Sequence, residues 1–457
     1  MPGFVVVGGG VAGMRAAERL KDRRPDAEVA VLSEEQFPFY RRPQLGDVAA
    51  GRLPETAIYA HPAAYYRSKG IDVRLDSRVT AVDPEACTVR TENGALLHYD
   101  GLVVASGRRR ARPGIPGSDL PGVVSFTTVD EARQVLSLPA GAEVVVHGDT
   151  IPALELVRAA AGRGLAVSYL LSGQGVWPEV LDVDGQQIAA NRMVAAGVKV
   201  VTEATPVAVV ERNGRAGGVR LADGRMQEGA LVGLCGRFEP AVDFLPEAGT
   251  GLQVAADLST PWPEVVAAGD ACAGGGFNWL RSWRQGEQAA DTLLAGLAST
   301  GSAGAETAGL ASDQVHVFNT QIMGVSLVSV GRTVVAYRSG YSEVKSEVFG
   351  DFYKKLVFDP DDRLVGALLL GNVAEAGALE AAVRAGTERR HLNASLLEQL
   401  FEPTYAPHFM GVQCPVCRHE IQLEPGATAG DRVTCPICGV EFTLVQGPQG
   451  LIARAAG

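Results

Sequence analysis

The first third of the chain contains short apolar runs that end in small residues. Phe4–Val7 is uninterrupted by polar positions, and residues 28–32 form a second run of the same kind. Such runs are typical of parallel strands that are buried on both faces of a sheet. With a helix from Met14 to about Arg24 between them, the pattern predicts a strand–turn–helix–strand unit, the building block of a doubly wound α/β fold.

A second unit of this kind follows. Residues 144–146 and 166–171 predict strands, and residues 154–162 predict the helix between them. After residue 312 the pattern changes to successive strand signals and then a helix at about 374–385. The strand signals lie at residues 315–320, 325–330, 334–338, 352–359 and 364–370. We therefore predict an α/β fold class, with two three-layer Rossmann-like domains, a small α+β domain and a short C-terminal ribbon.

Composition adds limits on partners and location. The 457 residues suffice for about three domains of roughly 150 residues each. Apolar residues at 46% and charged residues at 20% are ordinary for a soluble globular chain, and the net charge of −11 argues against nucleic acid as a partner. We see no signal peptide, no apolar stretch long enough for a membrane span, and no disulfide framework among the seven cysteines. These features predict a cytoplasmic protein with no membrane partner.

The first turn, Gly8–Gly13, has the spacing G-x-G-x-x-G between a strand and a helix. Gly8 allows the tight turn, and Gly10 lets the backbone approach a pyrophosphate. Gly13 lets the helix pack close to the strand. The turn therefore predicts a dinucleotide site.

Two neighbouring features complete this predicted site. The first helical amides, including those of Val11 and Ala12, would face the phosphates at the positive end of the helix dipole. An acid at the end of the second strand accepts hydrogen bonds from the adenosine ribose in such sites. Glu34 is the first candidate for this role and Glu35 the second.

Three further segments carry a family resemblance. They read FYRRPQLGD at 39–47, YDGLVVASGRRRARPGIPG at 99–117 and VVAAGDACA at 265–273. In this order they resemble the FAD-containing pyridine nucleotide–disulfide oxidoreductase superfamily, nearest to its ferredoxin, rubredoxin and nitrite reductase flavoprotein branch. The resemblance covers residues 1 to about 400. It implies an FAD domain at 1–113 and 238–298, an inserted NAD(P)-type domain at 114–237, a linker at 299–312 and an interface domain at 313–405. In the family, the interface domain caps the flavin and often mediates dimer contacts.

The resemblance also implies which side chains would hold FAD. Asp270 matches the aspartate that bonds the ribityl chain, and Arg42 with Pro43 matches the arginine–proline pair placed beside the flavin. The remaining cofactor-binding positions that we expect are Val79, Ala105, Ser106, Gly107, Arg112, Gly269, Trp283, Gln285 and Gly286.

The flavin site departs from the family in two ways. No cysteine lies in the segment 37–47, which excludes the thiolate relay of disulfide reductases. Asp47 stands where many ferredoxin-reductase-like members carry a lysine near flavin N5. Asp47 is therefore either an acid or base on the substrate side, or a helix cap with Gly46. Cys272 is interpreted as a buried small residue, since no partner cysteine is near it in sequence.

The second turn also departs from the family. Thr150 and Ala153 replace the second and third glycines after Gly148, and residues 171–175 offer neither an acid nor an arginine for a ribose. A tight NAD or NADP site is therefore doubtful, and the alternative is a domain kept for packing or for another reductant. Glu155 aligns with the family glutamate near the nicotinamide and is the second catalytic candidate beside Asp47.

The sequence predicts a small ribbon at residues 408–447. Cys414, Cys417, Cys435 and Cys438 form two C-x-x-C pairs, the spacing of a tetrahedral four-sulfur site. Small loops of this type fold around their metal, and structural zinc is the first expectation. A rubredoxin-like iron centre is the alternative, because the second pair reads CPICG.

Three functions follow as hypotheses. In the first, FAD passes electrons between NAD(P)H and a partner protein or small acceptor, without redox-active cysteines. In the second, a flavoenzyme subunit acts directly on an organic substrate and the ribbon docks a partner or carrier. In the third, the chain is a non-catalytic subunit that keeps FAD. A homodimer or hetero-oligomer is compatible with all three.

Overall fold

The computed structural model describes residues 3–111, 114–245, 248–249, 251–274, 278–298, 315, 317–336, 339–348, 352–392, 411–414, 420–423, 426–435, 440–447 and 450–455. The chain forms two compact units. The first unit comprises Met1–Gln44, Pro54–Ala111 and Phe238–Ser312, and the second comprises Leu45–Leu53, Arg112–Arg237 and Asp313–Gly457.

The helices and strands are given in chain order. Residues 3–111 contain β1 (Gly3–Val7), α1 (Val11–Arg23), β2 (Glu28–Leu32), α2 (Leu45–Ala49), α3 (Ala63–Ser68), β3 (Ile71–Arg74), β4 (Val79–Asp83), β5 (Thr88–Thr91), β6 (Leu96–His98), β7 (Gly101–Val104) and β8 (Arg108–Arg110). Residues 114–237 contain β9 (Val123–Val124), α4 (Val129–Leu136), β10 (Glu143–His147), α5 (Ile151–Gly162), β11 (Ala166–Leu170), α6 (Val183–Ala195), β12 (Lys199–Val201), β13 (Pro206–Arg212), β14 (Arg215–Leu221), β15 (Met226–Glu228) and β16 (Leu231–Leu234). Residues 238–298 contain β17 (Phe238–Pro240), β18 (Val265–Ala267) and α7 (Trp279–Ala298). The rest contains β19 (Val317–Ile322), β20 (Val325–Gly331), β21 (Ser342–Val348), β22 (Phe352–Phe358), β23 (Leu364–Leu370), α8 (Ala376–Arg384), β24 (Gly411–Gln413), β25 (Glu420–Gln422), β26 (Arg432–Thr434), β27 (Glu441–Gly447) and β28 (Gly450–Ala455).

The first unit is built on a parallel sheet in the order β18-β7-β1-β2-β3. Its central strands β1 and β7 are buried along almost their whole length, as their apolar runs predict. Helix α1 packs against α7, and ion pairs of Arg15 with Glu287 and of Arg19 with Asp291 link the two helices. An antiparallel sheet β4-β5-β6 and the pair β8-β17 complete the described part of this unit.

The second unit repeats the arrangement. Its parallel sheet has the order β12-β11-β10-β16-β9, so β10 occupies the central place that β1 has in the first unit. Both helices that follow these central strands begin earlier than the sequence pattern indicated. Helix α1 starts at Val11 after an N-cap at Gly10, and α5 starts at Ile151 after an N-cap at Thr150.

The C-terminal part of the second unit contains an antiparallel sheet in the order β19-β20-β23-β22-β21, with α8 packed on it. The predicted strand at 334–338 is wrong over its described residues, 334–336, which form no strand. Just before them, the buried Thr333 turns toward the interior and donates its hydroxyl to Val180 O at 2.8 Å. Strand β21 takes the sheet edge instead.

The ribbon region contains the small sheets β24-β25 and β26-β27-β28. The predicted linker at 299–312 lies outside the described residues, as do large parts of the predicted ribbon. Over the described ranges, no helix is long and apolar enough to cross a membrane.

Residues 45–53 differ from the predicted domain boundary. The sequence assigned them to the FAD domain, whereas they belong to the second unit. Helix α2 contacts α4 and α5 there. The approach to α5 is close, because a Cβ built on Gly46 would lie 2.5 Å from Glu155 Oε2.

The close crossing of α1 and α7 gives a stability prediction. A Cβ at Gly286 would lie 2.3 Å from the backbone oxygen of Ala12, so Gly286→Ala must push the helices apart. We expect a loss of about 1–3 kcal/mol in the free energy of unfolding, measured by chemical denaturation. Gly296→Ala on the same helix is the control, since its Cβ would come no closer than 3.9 Å to Pro263 O. That variant should be neutral or up to about 1 kcal/mol more stable, and equal effects of both substitutions would contradict the packing argument.

Candidate functional site

The glycine turn of the first unit is built from backbone in contact with backbone. Gly8 has φ +111°, and a Cβ on it would lie 2.2 Å from Ala105 O. A Cβ on Gly13 would lie 2.0 Å from Gly8 O. Neither position accepts a side chain. Beside Gly10, in contrast, nothing lies within 4 Å of a built Cβ, so this is the open side of the turn.

The start of α1 faces this open side with uncapped amides. The N-cap is Gly10, no side chain caps the helix, and the first turn holds no acidic residue. The amides of the first helical turn have no partner inside the helix by geometry. Val11, Ala12 and Gly13 each carry such an N–H, so the arrangement suits an anionic pyrophosphate.

The two candidate acids at the carboxyl end of β2 differ in their contacts. Glu35 accepts a hydrogen bond from Tyr40 at 2.5 Å and is ion-paired with Arg42. Glu34 is exposed and makes no hydrogen bond or ion pair within the described part of the chain. Glu34 is therefore the better placed of the two to bind a ribose. Tyr40 was missed by sequence reasoning, because nothing in its spacing shows that it reaches Glu35.

Asp270 lies just after β18, in a 3-10 turn over Gly269–Ala271. Gly269 has φ +73°, and its N–H donates to Oε1 of the buried Gln285 at 2.9 Å, which fixes the turn. Burial raises the pKa of Asp270, although nearby Arg108, Arg281 and Arg42 act to lower it. Asp270 nevertheless keeps some exposed surface.

A second polar group in this region has no protein partner. Ser106 Oγ is buried, and within the described residues it makes no hydrogen bond. It follows β7, whose neighbours in the sheet are β1 and β18. A buried hydroxyl that lacks a protein partner is able to form a hydrogen bond with a bound ligand. Ser106, the α1 amides and Asp270 thus fit an FAD that lies across the carboxyl edge of this sheet.

Other predicted cofactor residues are placed by packing. Trp283 lies under the guanidinium of Arg15, 4.4 Å from Cζ to the ring centroid. Gly286 is required by the crossing of α7 with α1. Ala105 and Val79 are buried, Pro43 lies in a 3-10 turn at Arg42–Gln44, and Gly107 has φ +72°. Arg112 lies outside the described residues.

Cys272 is buried beside this site. Burial raises the pKa of its thiol to about 12. Because the thiolate is the reactive form of cysteine, a thiol in this environment is not a nucleophile at neutral pH. This agrees with its interpretation as a small buried residue.

Asp47 and Glu155, the two catalytic candidates, meet in the second unit. Arg158 bridges them, with Nη1 3.0 Å from Asp47 Oδ1 and Nη2 2.6 Å from Glu155 Oε2. Arg52 adds a second contact to Asp47 at 2.8 Å. Burial acts to raise the pKa of Asp47, but Arg158 and Arg52 outweigh it and hold the pKa below its usual value.

This bridge changes the interpretation of Asp47. A carboxylate held in its charged form by two guanidinium groups is a poor general acid or base near neutral pH. Its contacts favour a structural role, tying α2 to α5. Sequence reasoning missed Arg158, although its position three residues after Glu155 places both side chains on one face of a helix.

In the ribbon, Cys414 and Cys435 are buried and directly follow β24 and β26. Cys435 N donates to Val440 O at 2.9 Å, and β26 pairs antiparallel with β27. Cys417 and Cys438 lie outside the described residues. The four-cysteine site therefore stays a prediction.

The family profile of the pyridine nucleotide-disulphide oxidoreductases matches residues 3–290. The chain belongs to this family. It is an oxidoreductase, and the resemblance carried by the turn at 8–13 and the segments 39–47, 99–117 and 265–273 is confirmed at the level of the family.

Two curated relatives are 30% identical to this chain. One is the ferredoxin–NAD(+) reductase component of the anthranilate 1,2-dioxygenase system of Burkholderia cepacia, matched over 402 residues that cover 84% of this chain and 94% of the relative. The other is the corresponding component of the biphenyl dioxygenase system of Paraburkholderia xenovorans, matched over 305 residues that cover 64% and 74%. A solved covalent complex of putidaredoxin reductase with putidaredoxin has the same fold, with a TM-score of 0.74 at 17% identity, over 87% of this chain and 99% of that chain.

The ion pairs of Asp47 give a pH prediction. Because its folded-state pKa lies below the ordinary 3.8, its stabilisation is complete above that value and is lost as the pH falls through the folded-state pKa. Asp47→Asn should lower the free energy of unfolding by about 1 kcal/mol at neutral pH, and the difference from wild type should shrink toward about pH 3.

Urea denaturation at several pH values measures this difference. Asp72→Asn is the matched control, since its pair with Arg74 has side chains 59% and 45% exposed and should contribute little. A difference for Asp47→Asn that grows as the pH falls would contradict the proposed ion-pair network.

Proposed function

We propose that this chain is an FAD-dependent oxidoreductase that passes electrons to a partner protein or small acceptor without redox-active cysteines. The observation that carries the proposal is a combination of three features of the first unit. These are the uncapped α1 amides, the Ser106 hydroxyl, which has no hydrogen-bond partner among the described residues, and the partly exposed Asp270. FAD, when bound, would supply two-electron and one-electron chemistry.

The residues of the first unit have positioning roles in this proposal. The amides of Val11, Ala12 and Gly13 bind the pyrophosphate, and Glu34 accepts hydrogen bonds from the ribose hydroxyls. Asp270 accepts from the hydroxyls of the ribityl chain, held in place by the bond from Gly269 N–H to Gln285. Arg42 is ion-paired with Glu35, which leaves Glu34 as the acid available to the ribose.

The printed names of the two relatives support a protein acceptor. Both are ferredoxin–NAD(+) reductase components of dioxygenase systems, so each of them works with a ferredoxin. We extend to this chain the class of acceptor, a small electron-carrier protein. The same names give NAD(+) as the other partner of those relatives. NAD(P)H is the donor for this chain if its second turn binds a pyridine nucleotide, and another reductant is the donor if it does not.

A second candidate is a flavoenzyme subunit that oxidises or reduces an organic substrate directly. The observation in its favour is the second dinucleotide turn, whose helix is capped by its own Thr150. Photoreduced flavin separates the two candidates. Rapid reoxidation of the photoreduced flavin by a ferredoxin or rubredoxin supports the first. Its reoxidation only by a metabolite, or reduction of the oxidised flavin only by a metabolite, supports the second.

Asp270 tests the proposed FAD site. Asp270→Ala removes the acceptor for the ribityl hydroxyls, so we expect at least about tenfold weaker FAD binding to the apoprotein, followed by flavin fluorescence quenching. Asp22→Ala is the control, an acid on the exposed face of α1 whose side chain is 53% exposed. An Asp270→Ala protein that binds FAD as tightly as wild type would remove Asp270 from the site.

We also propose a structural zinc ion bound by Cys414, Cys417, Cys435 and Cys438. The support is the paired C-x-x-C spacing and the burial of the two described cysteines. Elemental analysis of the full chain should find about one zinc per chain, and a Cys414→Ser/Cys435→Ser variant should lose it. The FAD content of that variant should stay unchanged, because the flavin site lies in the first unit. Iron with a red colour would favour the rubredoxin-like alternative.

A further inference from the structure

The two dinucleotide turns of this chain can be compared directly. Each follows the central strand of a five-stranded parallel sheet, and each leads into a helix of similar length, 13 residues for α1 and 12 for α5. Their chemistry differs at the point where a pyrophosphate would lie. We infer that the second turn no longer binds the pyrophosphate of a pyridine nucleotide, and that Thr150, Pro152 and His147 are the residues that close it.

Thr150 closes the turn with its own hydroxyl. Thr150 Oγ1 donates to Cys235 O at 2.5 Å, which fixes the side chain, and it accepts from Ala153 N at 3.5 Å. The corresponding residue of the first turn, Gly10, makes no side-chain cap and leaves open space. The Thr150 side chain thus stands where a nucleotide would need to approach the backbone.

Pro152 removes a second donor. It is the second residue of α5, and proline has no backbone N–H. With Ala153 N bonded to Thr150, only the Ile151 amide of the first helical turn remains for an anion. In α1, the corresponding residues Val11, Ala12 and Gly13 all have an amide available for an anion. The exposed Asp149 between Gly148 and Thr150 adds a negative charge, whereas the first turn has Gly9 there.

His147 crosses the carboxyl edge of the second sheet. Its Nε2 lies 2.9 Å from Ser172 Oγ, just beyond β11, and its ring borders Gly236, just beyond β16. Burial lowers the pKa of His147, although Asp149 acts to raise it, so the ring is neutral at neutral pH. The ring therefore offers no positive charge to a phosphate. It spans the crevice between the strand ends in which dinucleotides bind in open α/β sheets.

The retained Gly148 does not argue for nucleotide binding. Its φ is +132°, and a Cβ would lie 2.5 Å from the carbonyl carbon of Cys235. Glycine is therefore required there by packing alone. An acid does reach the neighbouring loop, since Glu203 Oε1 accepts a hydrogen bond from Gln174 at 3.4 Å, but a ribose contact alone does not hold a pyrophosphate.

Calorimetry with NADH, NADPH and ADP-ribose tests this inference on the FAD-loaded full chain. Wild type should show no saturable binding at ligand concentrations up to about 1 mM, a level at which dinucleotide-dependent enzymes are ordinarily saturated. A Thr150→Gly/Pro152→Ala variant restores two amides, those of residues 152 and 153, together with the open space, and should bind ADP-ribose at least about tenfold more tightly than wild type.

Thr128→Gly is the matched control. Thr128 caps α4 of the same unit through Glu131 N, away from the turn, so its loss should not create nucleotide binding. Micromolar binding of NADH, NADPH or ADP-ribose to wild type would overturn the inference. A double variant that folds, keeps its FAD and gains no binding, with or without His147→Ala added, would overturn the assignment of the closed turn to Thr150, Pro152 and His147. Flavin content and reoxidation by an acceptor protein, measured on the same samples, report separately on the proposed function.

Discussion

Contact between backbone atoms at the first glycine turn is the constraint on which the flavin site depends. Gly8 lies against Ala105 O, Gly13 against Gly8 O, and Gly286 against Ala12 O, each closer than any side chain allows. These contacts bring β7, the turn, α1 and α7 together at one edge of the sheet. The result is a row of α1 amides directed into open space, with Ser106 and Asp270 beside it.

The second unit has a similar parallel sheet and a similar helix after its central strand, but different residues in its dinucleotide turn. Its first glycine, Gly148, is required by its close approach to Cys235, while the positions that would face a ligand carry Thr150 and Pro152. Within one glycine motif, some glycines are therefore required by packing and others by the approach of a ligand. Membership of the family explains the fold of this unit, whereas the chemistry of its turn is a property of this chain.

Much of the fold could be predicted from the sequence, because apolar runs and glycine spacing are local signals. The strands β1, β2, β10 and β23 and the first turn are of this kind. The interactions that depend on distant residues were not predictable. Arg158 bridges Asp47 and Glu155 only because α2 packs on α5. Tyr40 reaches Glu35 only because its loop returns to the end of β2. The strand predicted at 334–338 failed for a similar reason, since the adjoining Thr333 is drawn toward Val180 by a tertiary hydrogen bond.

The central claim is that this chain has one working dinucleotide site where its fold provides two. Native mass spectrometry of the purified full chain in excess NADH and NADPH tests it most directly. The account predicts a mass increase that corresponds to one FAD per chain and no pyridine nucleotide. A species that carries FAD together with NADH or NADPH, or a chain that binds no FAD, would contradict it.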